Sequence, residues 1–287
     1  MKYACIEEHR PHFSLVALCR VLEVSRSSFL AAINRAPSRR STEDLALQQQ
    51  ICSLHEGHRN IPGALKTWQS LNQKGIGCGK HRVARLRKQA GIEAKRSVKY
   101  RVMKTYQKTE PPAPDLVKRA FIVPSPNKVW VSDMTTVRTR EGWIHLAIVL
   151  DLFARRIVGW SMGSTQAALL PIAALQMAIV QRRPSPGMIC HTDQGSVYGS
   201  ASYRKVLSDN GLLASMSRRG NCHDNAVAES FFSNLKNELT HHTTYDKRQD
   251  AKDAIAEYIE VYYNRQRLHQ TLRYSTPLDF EARYQSA

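Results

Sequence analysis

The chain has 287 residues, 42 Lys and Arg against 24 Asp and Glu, a formal net charge of +18, and 42% hydrophobic residues. This excludes a disordered basic tail, and the length suggests about two domains of ~100–200 residues each, enough to bury real cores. No stretch approaches the ~18 uninterrupted apolar residues of a membrane span. The first residues, MKYACIEEHRPHF, carry Glu7 and Glu8 and no continuous apolar segment. They do not read as a secretory signal, so no membrane association and a cytoplasmic location are expected. Six cysteines without a CxxC pair or regular spacing suggest neither a zinc ribbon nor a disulfide framework; reduced, mostly buried thiols are expected. So large a positive excess makes a polyanion the natural partner, because neutralising phosphates releases condensed counterions.

The charge is unevenly placed. Residues 1–110 hold 21 basic and 8 acidic residues, residues 111–287 hold 21 and 16, and Lys74 to Lys104 contain eleven Lys/Arg with the single acid Glu93. Two stretches of this basic third read as helix-turn-helix. Ser14 caps a predicted helix through Leu15, Leu18 and Leu22, Glu23-Val24 turns, and Ser25 caps a second helix, Arg26–Ile33. Small Ala17 is expected at the close approach of the two. In the second stretch, Gly63–Leu71 is apolar at Ala64, Leu65, Trp68 and Leu71, Lys74–Gly79 breaks it, and Lys80–Gln89 turns Val83 and Leu86 inward. Lys80, Arg82, Arg85, Arg87 and Lys88 are left largely outside, where a basic helix can dock against phosphates or a major groove. Either motif alone reads better as an ordinary helical hairpin; two in tandem beside so basic an arm favour DNA. Three prolines within Thr109–Pro114 predict an extended spacer. The expected organisation is a helix-turn-helix-like segment at 1–42, a basic helix-turn-helix domain at 43–108, a linker at 109–126, and a core with a C-terminal helical extension at 127–287.

From Asn127 the pattern changes. Val129–Val137, Trp143–Leu152, Arg156–Met162, Met188–His191 and Leu212–Met216 read as strands, with turns at Gly142 and Phe153–Arg155; Gln166–Arg182, Ser202–Asn210 and Asn225–Glu238 read as helices. The fold class is mixed α/β, a five-stranded mixed sheet flanked by helices behind an all-α region. Asp133 lies within the first strand and Asp193 just beyond the fourth, so neighbouring strands would bring them together. Glu229 sits on a helix whose Val227, Ala228, Phe231, Phe232 and Leu235 form a packing side. Three converging acids repel one another unless divalent cations bind between them, and such hard oxygen donors select Mg²⁺ or Mn²⁺. Two ions ~4 Å apart can assist the attacking and leaving oxygens of an in-line phosphoryl displacement.

A chain with 24 acids has many such triples, so the surrounding residues matter more. W-x-x-D stands at Trp130–Asp133, H-T-D-x-G-S-x-Y at His191–Tyr198, and D-N-A-x-x-E-S-F-F at Asp224–Phe232; 35 residues separate Asp193 from Glu229. With Lys236 seven residues after the glutamate, and Y-N-x-x-R-x-H-x-x-L at Tyr263–Leu272, the chain resembles the retroviral-integrase-like transposases of bacterial insertion sequences, in particular their second-reading-frame products. The resemblance runs from the first helix-turn-helix to Thr276-Pro277. It implies a ribonuclease-H-like integrase catalytic core in which Asp133, Asp193 and Glu229 are the metal-binding catalytic triad for two Mg²⁺ (or Mn²⁺) ions, with Lys236 contacting the element's end. It further implies binding of terminal inverted repeats, strand cleavage by water, and transfer of the freed 3′-hydroxyl into target DNA. A homo-oligomer on DNA, and fusion or pairing with an upstream-frame product, are also implied. Ala154, where the family often has Ser, and His223, where an aromatic is common, depart from the pattern away from the triad. The His-His-Cys-Cys module of retroviral integrases has no counterpart here, which points to the bacterial elements.

Other residues compete with these. Asp151 reads as structural, pairing with Arg155 or Arg156; His191 reads as a satisfied structural histidine, Asp224 as a helix cap, and Asn225 as a neighbour of the site. Ser217–His223, with Arg218 and Arg219, is expected to be a mobile loop entering the site. Two rival functions stand beside the transposase: a nuclease or resolvase of the same fold, and a non-catalytic DNA-binding regulator. Neither accounts for all the motifs together.

Overall fold

The computed structural model describes residues 2–95, 112–165, 169–218 and 225–285. The chain forms two compact units, Met1–Cys52 and Ser53–Ala287. In the first, α1 (Lys2–His9) is followed by α2 (Leu15–Val21), α3 (Arg26–Ile33) and the start of α4 (Arg39–Gly57). Ser14 and Ser25 accept the amides of Ala17 (3.3 Å) and Ser28 (3.0 Å), so each satisfies a first-turn donor that has no partner within its helix. Between the two helices Glu23 takes a left-handed conformation, φ 53°. Ile6, Cys19 and Phe29 are buried together, with Leu15, Leu18, Leu22, Val24 and Leu30 around them. Ala17 is exposed, and the expectation of a close approach there is corrected. Cys19, about 200° further round the helix at ~100° per residue, faces the core instead. The helix α1 has no counterpart among the predicted elements, because its single buried position, Ile6, gives no periodic signal.

In the second unit α5 (Ala64–Gln73) and α6 (Lys80–Gln89) form the second helical pair; α6 has the limits read from the sequence, and α5 runs two residues past Leu71. Gly75, at φ 79°, turns the chain, and the Trp68 indole donates to the Cys78 carbonyl at 2.7 Å. The inner face differs from expectation. Leu65 is exposed, while Thr67, Ser70, Leu71, Val83 and Leu86 are buried. Arg87, expected on the outer face, is also buried; its guanidinium donates to Thr67 Oγ1 at 2.9 Å and lies 3.4 Å from His55 Nδ1. A buried charge requires polar neighbours, which explains why Thr67 and His55 line this interior.

Five strands form one mixed sheet, in which the third, second, first, fourth and fifth in sequence lie side by side in that order. β1 (Val129–Thr139), β2 (Gly142–Asp151) and β3 (Arg156–Gly163) form an antiparallel meander; β4 (Ile189–Thr192) and β5 (Leu213–Met216) add parallel strands beyond β1. The crossovers are α7 (Leu169–Arg182) and α8 (Ala201–Asp209). Helices on both faces explain why β2 reads as a continuous apolar run. Val131, Ile144, Leu146, Ile148 and Leu150 face α9 (Ala226–Leu235) and α10 (Arg248–Glu257), while Trp130, Ala147 and Val149 face α7 and α8. At Gly159 the sheet meets α7 so closely that a Cβ would stand 2.2 Å from the Ala174 carbonyl oxygen.

After α9 the chain passes through a π-helical turn, Lys236–Thr240, then α10, a second π-helical turn, Tyr258–Tyr263, and α11 (Pro277–Gln285). Helix α9 therefore ends at Leu235, short of the Glu238 end read from its apolar side. Asn264 meets the edge strand with both halves of its amide, accepting from Ile157 N and donating to Ile157 O, each at 3.0 Å. Asp151, fully buried, accepts the amides of Asn127 (2.8 Å) and Phe153 (2.9 Å) and pairs with Arg182 at 3.6 Å. Its expected partners are engaged elsewhere, Arg155 at the Phe121 carbonyl and Arg156 at Glu281. Among the described cysteines all are free, but only Cys19 and Cys190 are buried, fewer than expected. No helix among the described residues is long and apolar enough to cross a membrane.

Candidate active site

Asp133 lies mid-way along β1, the strand that pairs with β2 on one side and β4 on the other. The parallel register sets Val131 opposite His191. Two residues beyond this pair stand Asp133, on β1 and on the same face as Val131 by the two-residue strand period, and Asp193, one residue past the end of β4. The Asp133 carboxylate is 4% exposed and accepts its neighbour's amide, Met134 N, at 2.7 Å. Asp193 is half-buried, and its Oδ1 accepts Gly195 N at 2.9 Å.

Tyr198 lies within electrostatic reach of both. It is fully buried, 3.3 Å from Ser132 Oγ, and its phenol is held well above its usual range first by burial and then by the charges of Asp133 and Asp193. Sequence reasoning assigns Tyr198 no role; its place five residues after Asp193 in the H-T-D-x-G-S-x-Y motif is the one signal that marks it.

Glu229 is in the first turn of α9, half-exposed, on a helix whose Ala228, Phe231, Phe232 and Leu235 pack into the same core as Val129 and Val131 of β1. One turn before it, Asn225 is 2% exposed and, among the described residues, neither atom of its side-chain amide has a hydrogen-bond partner. Such a buried amide calls for a polar neighbour. The rest of the expected loop, Arg219 to His223, and the expected cap Asp224 lie outside the described residues; Arg218 is exposed. His191 is fully buried with Nδ1 2.9 Å from Ser215 Oγ, which also accepts the amide of Leu116, in keeping with a structural role. Among the described residues no three His, Cys, Asp or Glu side chains stand close enough together to hold a metal ion. The donors fit a hard cation in kind: three carboxylates, on β1, just past β4 and on α9, with a buried, unsatisfied amide one helical turn before the third.

Gly195 leaves room for Asp193. A Cβ there would lie 2.8 Å from Asp193 Oδ1, so Gly195→Ala must displace the carboxylate, not the backbone. If Asp193 takes part in catalysis, the variant should keep the wild-type melting temperature yet lose about 10–100-fold in turnover, since a ~1 Å misplacement can cost ~10²-fold. Unchanged turnover would show that this carboxylate position is not required.

Of the residues expected to meet DNA, Lys80, Arg85 and Lys88 are exposed on α6, Arg82 is half-buried, and Arg87 is turned inward, as described above. Lys236 opens the π-helical turn after α9, half-buried.

Residues 123–222 and 210–277 each match a family model described as "Integrase core domain", and residues 42–100 match "HTH-like domain". The "Insertion element IS600 uncharacterized 31 kDa protein" of Shigella sonnei is 39% identical over 93% of this chain and 98% of its own length. "Transposase InsF for insertion sequence IS3A" of Escherichia coli (strain K12) is 36% identical over 98% of each chain. Among solved structures, the HTLV-2 integrase catalytic core domain in complex with magnesium (dimeric form) matches 55% of this chain and 97% of its own at 17% identity, TM-score 0.43. By the family matches, the sheet and its carboxylates belong to an integrase core domain of ribonuclease-H-like fold. The chain as a whole belongs to the integrase-core transposases of bacterial insertion sequences, DNA-binding proteins of the polynucleotidyl-transferase type with a helix-turn-helix-like domain in front of the core.

Proposed function

We propose that the protein binds the terminal inverted repeats of its insertion sequence, cleaves the element's ends and joins them to target DNA. The observation that supports this reading is the parallel pairing of β1 with β4, which sets Val131 opposite His191, with Asp133 two residues on along β1, Asp193 just past the end of β4, and the helix of Glu229 packed over β1. In this reading Asp133, Asp193 and Glu229 hold two Mg²⁺ or Mn²⁺ ions. Ions held by these carboxylates would supply activation of the attacking oxygen and neutralisation of the charge developing on the leaving one. In cleavage a water oxygen bonds to phosphorus and the P–O3′ bond breaks, leaving a 3′-hydroxyl. In transfer that hydroxyl attacks a target phosphodiester and displaces the target's own 3′ oxygen, so the number of phosphodiester bonds is conserved and no covalent enzyme intermediate is needed.

The chain's other residues orient the DNA. Lys80, Arg85 and Lys88 on α6, flanked by Arg82, grip the phosphates of the repeat, and Lys236 meets the end being cut, two turns along from Glu229. The working parts are residues 1–42 and 43–108 for end binding, 109–126 as a linker, and 127–287 for chemistry. Copies assemble on paired ends, alone or with an upstream-frame product, in the bacterial cytoplasm at the nucleoid.

Incubating a labelled element end with plasmid DNA and Mg²⁺ should give both nicked ends and joined products. Hydrolysis alone would favour a nuclease, and binding alone a regulator. Replacing Arg85 and Lys88 by Glu should weaken end binding and reduce the slope of log K against log[salt] by about 0.9 for each phosphate no longer neutralised. Arg87→Met should instead lower stability by roughly 1–3 kcal/mol and leave that slope unchanged. An unaltered slope in the Glu variant would exclude α6 from binding the phosphates.

A further inference from the structure

The Tyr263–Leu272 motif takes no part in the chemistry above, yet its arginine is buried against a glutamate. Arg267 and Glu238 are 7% exposed each. Arg267 donates to Glu238 through Nε (3.0 and 2.9 Å) and Nη2 (2.8 Å), and Tyr258 Oη donates to the same carboxylate at 2.7 Å. Tyr263 and His269 close the other side of the guanidinium: His269 Nε2 lies 3.4 Å from Arg267 Nη1, and the two rings meet edge to face at 4.8 Å. Glu238 itself belongs to the π-helical turn that continues α9, nine residues beyond Glu229. π-helical turns interrupt the regular ladder and are enriched at functional sites.

The DNA-binding pair reaches the same turn. Lys95, beyond α6, donates to the Glu238 carbonyl at 3.2 Å. Lys66 on α5 is largely buried, which lowers its ammonium to about 8, with Arg267 opposing and Glu238 supporting its charge. On the same side Gln73 donates to the Tyr274 carbonyl at 2.8 Å, and Arg59 pairs with Glu257 and lies over the Tyr262 ring. A buried ion pair adds little net stability over apolar packing of the same volume, but the planar fork of Arg267 admits one orientation of its carboxylate.

We infer that Glu238 and Arg267 are positioning residues that fix the rotation of α9, and so the placement of Glu229, while tying that helix to the DNA-binding pair through Lys95. This rests on the reading that Glu229 is catalytic.

The test uses the full chain with a labelled element end at saturating DNA, measuring melting temperature, end binding, and cleavage as a function of Mn²⁺ concentration. Arg267→Lys and Glu238→Gln are expected to bind the end within about threefold of wild type, cleave at least tenfold more slowly, and need at least threefold more Mn²⁺ for half-maximal rate. Lys95→Met removes the link from the DNA-binding side without opening the buried pair, and the same rise in Mn²⁺ requirement is expected even if the buried variants fail to fold. Folded variants, or Lys95→Met alone, with wild-type cleavage and Mn²⁺ requirement overturn the inference. If Glu229→Gln is itself active, the underlying reading fails instead.

Discussion

Asp133→Asn, Asp193→Asn and Glu229→Gln should each lower end cleavage and strand transfer by about a thousandfold or more while leaving end binding near wild type. The magnitude follows from the several kcal/mol of charge stabilisation that a carboxylate-held cation supplies, at about 1.36 kcal/mol per tenfold in rate. The selectivity follows from position. Asp133 is 4% exposed in the middle of β1, and none of the three lies on α6. Asn and Gln keep the shape and hydrogen-bonding oxygen of the side chain, so the sheet and α9 should persist. A gel-based cleavage assay beside a binding isotherm separates the two effects. Residual cleavage above about one-tenth of wild type in any of the three would remove that residue from the catalytic set, and parallel loss of binding would refute the division of labour.

The second large effect concerns stability. Arg182 bridges two buried carboxylates: it pairs with Asp151 and with Glu281, and its Nε donates to Asn127 Oδ1 at 3.0 Å. Asp151 is 1% and Glu281 2% exposed at the side chain. Arg182→Met keeps the packing volume but leaves both acids with less compensation, which should cost about 3–5 kcal/mol. At roughly 2–4 °C per kcal/mol for a unit of this size, the melting temperature falls by about 6–20 °C. Burial already raises the Asp151 carboxyl above its ordinary range, with Arg182 opposing that rise. Removing Arg182 raises it further. A carboxyl raised in the folded state favours folding below its unfolded pKa and loses that favour as pH climbs through its folded one, so the deficit should widen from about pH 4 towards pH 7. A shift under about 3 °C at pH 7 would mean that the two acids are satisfied without the arginine.

Strand positions, helix caps and the places of the three acids are legible in the sequence because they depend on local rules. Ser14 and Ser25 cap where a hydroxyl before an apolar repeat must, and the β-branched run at β1 pairs as such runs do. Partner choices are not legible. Arg87 looks like its outward neighbours on α6, and only the packing of α5 and His55 against it shows why it turns inward. Asp151 stands close to two arginines in sequence, but the turn at Phe153–Arg155, with Arg155 at φ 57°, sends them away and leaves the interior to Arg182, which arrives from α7. The C-terminal motif can be recognised as a pattern and still not be explained. Its arginine reaches a glutamate 29 residues earlier that only the π-helical turn presents. Tyr198 escapes notice for the same kind of reason, since its setting against Ser132, within electrostatic reach of both carboxylates, comes from segments that are distant in sequence.

Strand pairing also frees the site from the length of the chain. The 59 residues between Asp133 and Asp193 include the largely exposed segment 183–187, with Pro184, Pro186 and Gly187, yet the strands that lead to the two acids are held in register by the lateral ladder between β1 and β4. Extra residues spliced into that segment, or new termini opened there, would leave the pair intact. A single deletion inside Ile189–Thr192 would carry Asp193 to the opposite face of the sheet. The tolerance of this enzyme to insertions should therefore be mapped by strand boundaries and not by distance in sequence from its acids.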